Sequence, residues 1–152
     1  MKKVYLDNDV ISTITSDDNN DQELAALGQL LAAYGDGTVD LVTSTVTLKQ
    51  IEGYRGPRRP ATKQIFRLLK ELPTATVPMI HRDPLYDNLL KQGLEDIDAW
   101  HVLIAAKNEC NAFLTCDRLI HHYGAAIEHL SGLVVQKPSD FIASEGWVAA
   151  PR

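Results

Sequence analysis

VYLDNDVIS, Val4 to Ser12, is the stretch on which the fold turns. Val4-Tyr5-Leu6 is a short apolar, β-prone run that stops at Asp7, too short for a helix. Leu41-Val42, Ala112 to Thr115 and Leu133 to Val135 are similar runs. Between them lie helical signals. Gln22 to Tyr34 spaces Leu24, Leu27 and Leu31 by three and four, with Asn20 or Asp21 able to cap and Gly35 at the end. Ser44 to Tyr54 reads as a second helix, and Ala61 to Leu72 as a third with Ile65, Leu68, Leu69 and Leu72 opposite Lys63, Arg67 and Lys70. Asp83-Pro84 ahead of Leu85 to Leu90, with Gly93 after, follows the order of cap, first-turn proline and terminal glycine. Asp98 to Lys107 is apolar nearly all round, as a helix buried against a sheet is. Short strands alternating with helices predict a parallel α/β sheet.

The whole chain, 1–152, is about one domain's length, and 45% hydrophobic with 23% charged residues excludes collagen-like, low-complexity and wholly disordered classes. No apolar run approaches the ~20 residues of a membrane span, and the charged start leads into a strand rather than a signal peptide, so a cytoplasmic protein away from membranes is expected. Cys110 and Cys116 lack CxxC spacing and a nearby histidine pair, so they read as reduced thiols. With 15 basic against 20 acidic residues the net charge is −5, which argues against a protein that coats nucleic acid through bulk positive charge. Gly53 to Lys70 is the exception, holding Arg55, Arg58, Arg59, Lys63, Arg67 and Lys70 without one acid.

Several carboxylates sit at strand ends or within apolar helices. Asp7 and Asp9 follow the first strand, Asp117 follows Phe113-Leu114-Thr115, Asp98 opens the apolar helix and Glu52 lies late in the second helix. Ligands of an open parallel sheet gather outside the carboxyl ends of its strands, which would bring Asp7 and Asp117 together. Four converging carboxylates repel unless protonated or neutralised, and all-oxygen ligation suits Mg²⁺ or Mn²⁺ rather than zinc. Taken singly, Asp117 could cap the short helix from Arg118 to Tyr123, Asp98 could be a first-turn acid, and Glu52 could be solvated. Asp7, directly after an apolar strand and before Val10-Ile11, is poorly solvated in any such arrangement.

VYLDNDVIS, STVTLKQIE (Ser44 to Glu52), DAWHVLIAA (Asp98 to Ala106) and FLTCDR (Phe113 to Arg118), in this order, resemble the four acidic motifs of PIN-domain ribonucleases. GLVVQKPSDFI, Gly132 to Ile142, resembles the family's last strand and Pro-containing tail. The resemblance implies a three-layer α/β/α fold with a central, mostly parallel sheet of about five short strands, and Mg²⁺- or Mn²⁺-dependent cleavage of RNA. It assigns Asp7, Glu52, Asp98 and Asp117 to the acidic quartet and Thr115 to the hydroxyl residue before the last acid. It also implies RNA as partner, an antitoxin protein if the chain is the toxin of a toxin-antitoxin pair, and a homodimer. One departure stands out: the family has Thr or Ser and then Asn after the first acid, whereas this chain has Asn8 and Asp9. Asp9 either strengthens metal binding or ties down the loop.

On this reading a metal held by Asp7, Asp98 and Asp117 lowers the pKa of an attacking water, Glu52 orients that water or completes a second metal site, and Thr115 hydrogen-bonds a ligand carboxylate. Arg55, Arg58, Arg59 and Lys63 would hold phosphates of single-stranded RNA without reading bases, or form a plain solvated face. His101, one turn after Asp98, is a proton shuttle or a hydrogen-bonded core histidine. His121-His122 has no partner at ligand spacing and reads as solvated or capping. Two other classes remain. Tyr5-Leu6-Asp7-Asn8-Asp9 also resembles the first motif of haloacid-dehalogenase-type phosphatases, with Asp7 as nucleophile and Asp9 as acid/base. A catalytically inactive binding protein on the PIN fold would be expected to have lost acids, and all four are present.

Overall fold

In the computed structural model the described residues are 1–10, 21–50, the backbone of 51–52, 67, 69, 72–77 and 83–147. They form β1 (Lys3–Leu6), α1 (Asp21–Gly35), β2 (Asp40–Ser44), α2 (Thr45–Glu52), β3 (Thr74–Ala75), α3 (Pro84–Gln92), α4 (Asp96–Lys107), β4 (Ala112–Leu114), α5 (Arg118–His122), α6 (Gly124–Ser131), β5 (Val134–Gln136) and α7 (Pro138–Ser144). The five strands make one all-parallel sheet in the order β3-β2-β1-β4-β5. Helices cover both faces, as the expected α/β/α architecture requires.

The period of two along β1 divides the core. Val4 and Leu6 face α1 and α7, packing with Leu27, Leu30, Phe141 and Ile142. Tyr5 faces the opposite layer, among Leu89 of α3, Val102 of α4 and Ile127 of α6. Register holds each neighbour in step: Tyr5 stands beside Val42 on one side and Phe113 on the other. The central strands β1, β2 and β4 are buried along almost their whole length, which is why Val4-Tyr5-Leu6, Leu41-Val42 and Ala112 to Leu114 read as short continuous apolar runs.

The caps seen in the sequence form as expected around α3. The Asp83 carboxylate accepts the Leu85 N–H at 2.9 Å, Pro84 occupies the first turn, and Gly93 ends the helix at φ 116°, where a Cβ would fall 2.5 Å from Tyr123 Oη. Helix α4 begins two residues before the expected Asp98, because the extended backbone at Glu95 already starts the turn that the Ala99 N–H closes. Asp98 therefore sits inside the first turn. Strand β3 and helices α6 and α7 were not read in advance; two residues of strand or a seven-residue helix leave little periodicity. The predicted helix from Ala61 to Leu72 lies mostly outside the described residues, with Arg67 and Leu69 helical.

Candidate functional site

Strand order runs outward in opposite directions from β1 and β4, so these neighbours form the switch point of the sheet. Crossovers leave its carboxyl edge to either side there, and the crevice between them is where parallel sheets take ligands. Asp7 is the first residue after β1, and Thr115, Cys116 and Asp117 are the first three after β4. The predicted approach of Asp7 and Asp117 follows directly from the strand pairing.

Asp7 is 1% exposed. Its Oδ2 accepts the Thr115 hydroxyl at 2.9 Å, and the same hydroxyl accepts the Asp117 backbone N–H at 3.1 Å. Its Oδ1 is buried without a hydrogen-bond partner, 3.5 Å from His101 Nε2. Burial raises the Asp7 pKa well above the carboxylate range, Asp9 and Asp98 add to the rise through their charge, and the Thr115 hydrogen bond opposes it. Asp9 is raised to about 7, first by burial and then by a hydrogen bond to Asp117 and the charges of Asp117 and Asp98. Asp98 is raised to about 6 by burial, then by the charges of Asp117 and Glu95. The Asp117 side chain also caps α5, accepting the Leu119 N–H at 2.8 Å, so its capping role and its place among the acids coexist. The ring Nε2 of His121 donates to the Thr115 carbonyl at 2.7 Å and braces the same turn.

His101 is wholly buried, and burial pulls its pKa down to about 4, so the ring is neutral at neutral pH. Nδ1 accepts the Tyr5 hydroxyl at 2.7 Å, Ser44 Oγ donates to that hydroxyl at 2.6 Å, and Nε2 donates to Gln50 Oε1 at 2.7 Å. These contacts match the core-histidine reading. The same chain of polar groups was missed in the sequence, where Tyr5 counted only as an apolar strand residue. A hydroxyl-bearing ring mid-strand and a histidine within an otherwise apolar helix were the available signals.

Four of the expected residues, Asp7, Asp98, Thr115 and Asp117, thus share one end of the sheet, together with Asp9. The Glu52 side chain and Arg55, Arg58, Arg59 and Lys63 lie outside the described residues. Among the described residues no three His, Cys, Asp or Glu side chains stand close enough to enclose an ion as they are. A groove of about 770 Å³ between α1 and α7, with Ala25, Ala32, Ile142 and Trp147 in its walls, touches none of the candidate acids. No helix among the described residues is long and apolar enough to cross a membrane.

Comparison with protein-family models, with curated proteins and with solved structures gives no match.

Proposed function

We propose that the protein is a divalent-metal-dependent nuclease that hydrolyses phosphodiester bonds in RNA, with Asp7, Asp98 and Asp117 as metal ligands and Glu52 completing the acidic set. The observation that carries this reading is Asp7: a carboxylate 1% exposed, one oxygen tied down and the other unpartnered, at the switch point beside three further acids. A buried acid so placed costs stability unless something compensates it. The donor set is all oxygen, as Mg²⁺ and Mn²⁺ prefer.

A bound Mg²⁺ or Mn²⁺ would supply positive charge for these carboxylates, polarise a phosphoryl oxygen and lower the pKa of a water. The chain's own residues prepare the place. Thr115 fixes the plane of the Asp7 carboxyl through Oδ2 and leaves Oδ1 as the open ligand atom. Asp98 and Asp117, both half-buried, would supply the further carboxylate oxygens. Without a cation the Asp9–Asp117 hydrogen bond requires a shared proton, and a cation would replace that proton. The PIN resemblance supports the choice of RNA over other phosphodiesters, and with it the proposed phosphate contacts of Arg55, Arg58, Arg59 and Lys63. The toxin role, an antitoxin partner, a homodimer and a cytoplasmic location rest on that resemblance and on sequence alone.

The phosphatase reading needs Asp7 to attack phosphorus, and its burial with Oδ2 engaged weighs against this. Assays with Mg²⁺ or Mn²⁺ on end-labelled single-stranded RNA and on a small phosphomonoester separate the readings. Cleavage of the RNA alone is expected; turnover of the monoester alone would replace the nuclease by a phosphatase.

A further inference from the structure

A second cavity lies on the same edge of the sheet as the acids. It holds about 350 Å³ and is walled by Val46 and Ile104, with Thr45, Lys49, Thr76 and Trp100 around it. Thr45 directly follows β2 and Thr76 directly follows β3, so the cavity includes residues at the carboxyl ends of β2, the neighbour of β1, and of β3 beyond it. Lys49 and Thr45 are exposed on α2, and Trp100 is held by its partner Tyr86, ring centroids 4.8 Å apart at 38°. Two of its lining residues are followed in the chain by residues beside Asp7: Gln50 follows Lys49, His101 follows Trp100, and these two are hydrogen-bonded at 2.7 Å, with His101 Nε2 3.5 Å from Asp7 Oδ1.

We infer that this cavity binds a base of the RNA strand next to the scissile phosphate, with the Trp100 ring as stacking platform and Lys49 on the adjoining phosphate. The inference rests on the nuclease reading of the acids. A volume at the lower end of small-ligand sites suits one monomer unit rather than a peptide helix or a duplex. Aliphatic walls, one anchored indole, two hydroxyls at the rim and one cation match a nucleotide's flat base, polar edge and anionic backbone. Neighbouring strands are about 4.8 Å apart, so the step from β1 to β3 spans about 10 Å, within reach of a single strand crossing the carboxyl edge. Stacking tolerates every base, so the site orders the strand without demanding a sequence.

The chain has two tryptophans, and they lie on opposite faces of the sheet, Trp100 among the α3–α4 layer and Trp147 against Phe141. In Trp147→Phe, therefore, Trp100 alone fluoresces. Titration with a short oligouridylate in EDTA should quench that emission, with a midpoint equal to that from anisotropy of the labelled oligonucleotide. Trp100→Ala should weaken binding about tenfold, and exposed Lys49→Ala should lower the slope of log K against log salt by roughly 0.7. Unquenched Trp100 emission in a complex that forms, or wild-type affinity and salt slope in Lys49→Ala, overturns the inference even if Trp100→Ala fails to fold. Quenching without any metal-dependent cleavage would retain the base site and remove the nuclease reading. Cleavage that needs the acids, with KM unchanged in Lys49→Ala and Trp100→Ala, would do the reverse.

Discussion

The Thr115 hydroxyl donates to Asp7 Oδ2 at 2.9 Å, joining the turns after two adjacent parallel strands. Both residues are buried, and Thr115 also receives the Asp117 N–H, so one hydroxyl fixes the relative positions of two acids.

Thr115→Val keeps the shape and removes the hydroxyl. It leaves a buried carboxyl oxygen and a backbone N–H without partners, which should cost about 1–3 kcal/mol in urea unfolding. Because that hydrogen bond holds the Asp7 pKa down, its loss should raise it further, seen as a shift of the carboxyl carbon titration in NMR. An unchanged titration would separate Thr115 from Asp7.

The acids make stability depend on pH, with a sign that can be worked out. Asp98 at about 6 and Asp9 at about 7, against 3.8 for the ordinary carboxylate, keep protons in the folded state that the unfolded chain has lost. Stability from these groups is therefore full below 3.8 and falls as pH rises through 6 and 7. His101 acts the other way. Folded at about 4 against 6.5, it adds stability as pH rises across that interval and nothing beyond it. Above 6.5 the His101 contribution is constant and Asp98, at about 6, has largely lost its proton, so Asp9, at about 7, carries the remaining decline and the metal-free protein should melt at lower temperature as pH rises from 6.5 through 7. Asp98→Asn removes one acid and the repulsion it exerts, and should flatten that decline. A wild-type melting temperature that rises across the same range would contradict the clustering of the acids.

The fold was legible because the central strands are buried: Val4-Tyr5-Leu6 and Phe113-Leu114 carry their strand character in three residues or fewer, with Asp7 marking the stop of the first. The site was legible for the same reason, since parallel pairing of β1 with β4 fixes where Asp7 and Asp117 meet. Polar groups that complete the site from the opposite layer were not. Tyr5 and Gln50 meet His101, and Ser44 meets Tyr5, only after two strands and two helices have packed, and no local spacing encodes those contacts. The two-residue strand β3 gains its definition from pairing with Thr43 and Ser44 rather than from its own residues.

Glu23, 8% exposed, is the second buried acid among the described residues, with a structural task. It accepts both the backbone N–H and the hydroxyl of Ser139, tying α1 to the start of α7. Glu23→Ala should cost about 2 kcal/mol or more in unfolding free energy, since hydrogen bonds to charged groups contribute about 1.5–3 kcal/mol. Metal affinity should stay at the wild-type value; a calorimetric loss of affinity would show that the α1–α7 contact reaches the acid cluster.

Wild type and Asp98→Asn, each shown folded by circular dichroism, should be compared on end-labelled single-stranded RNA with Mn²⁺ and again with EDTA. The account predicts cleavage by wild type with Mn²⁺ only, and a loss of at least about a hundredfold in Asp98→Asn, which removes one ligand charge from the site. Equal cleavage by wild type and Asp98→Asn, or cleavage that persists in EDTA, would contradict it.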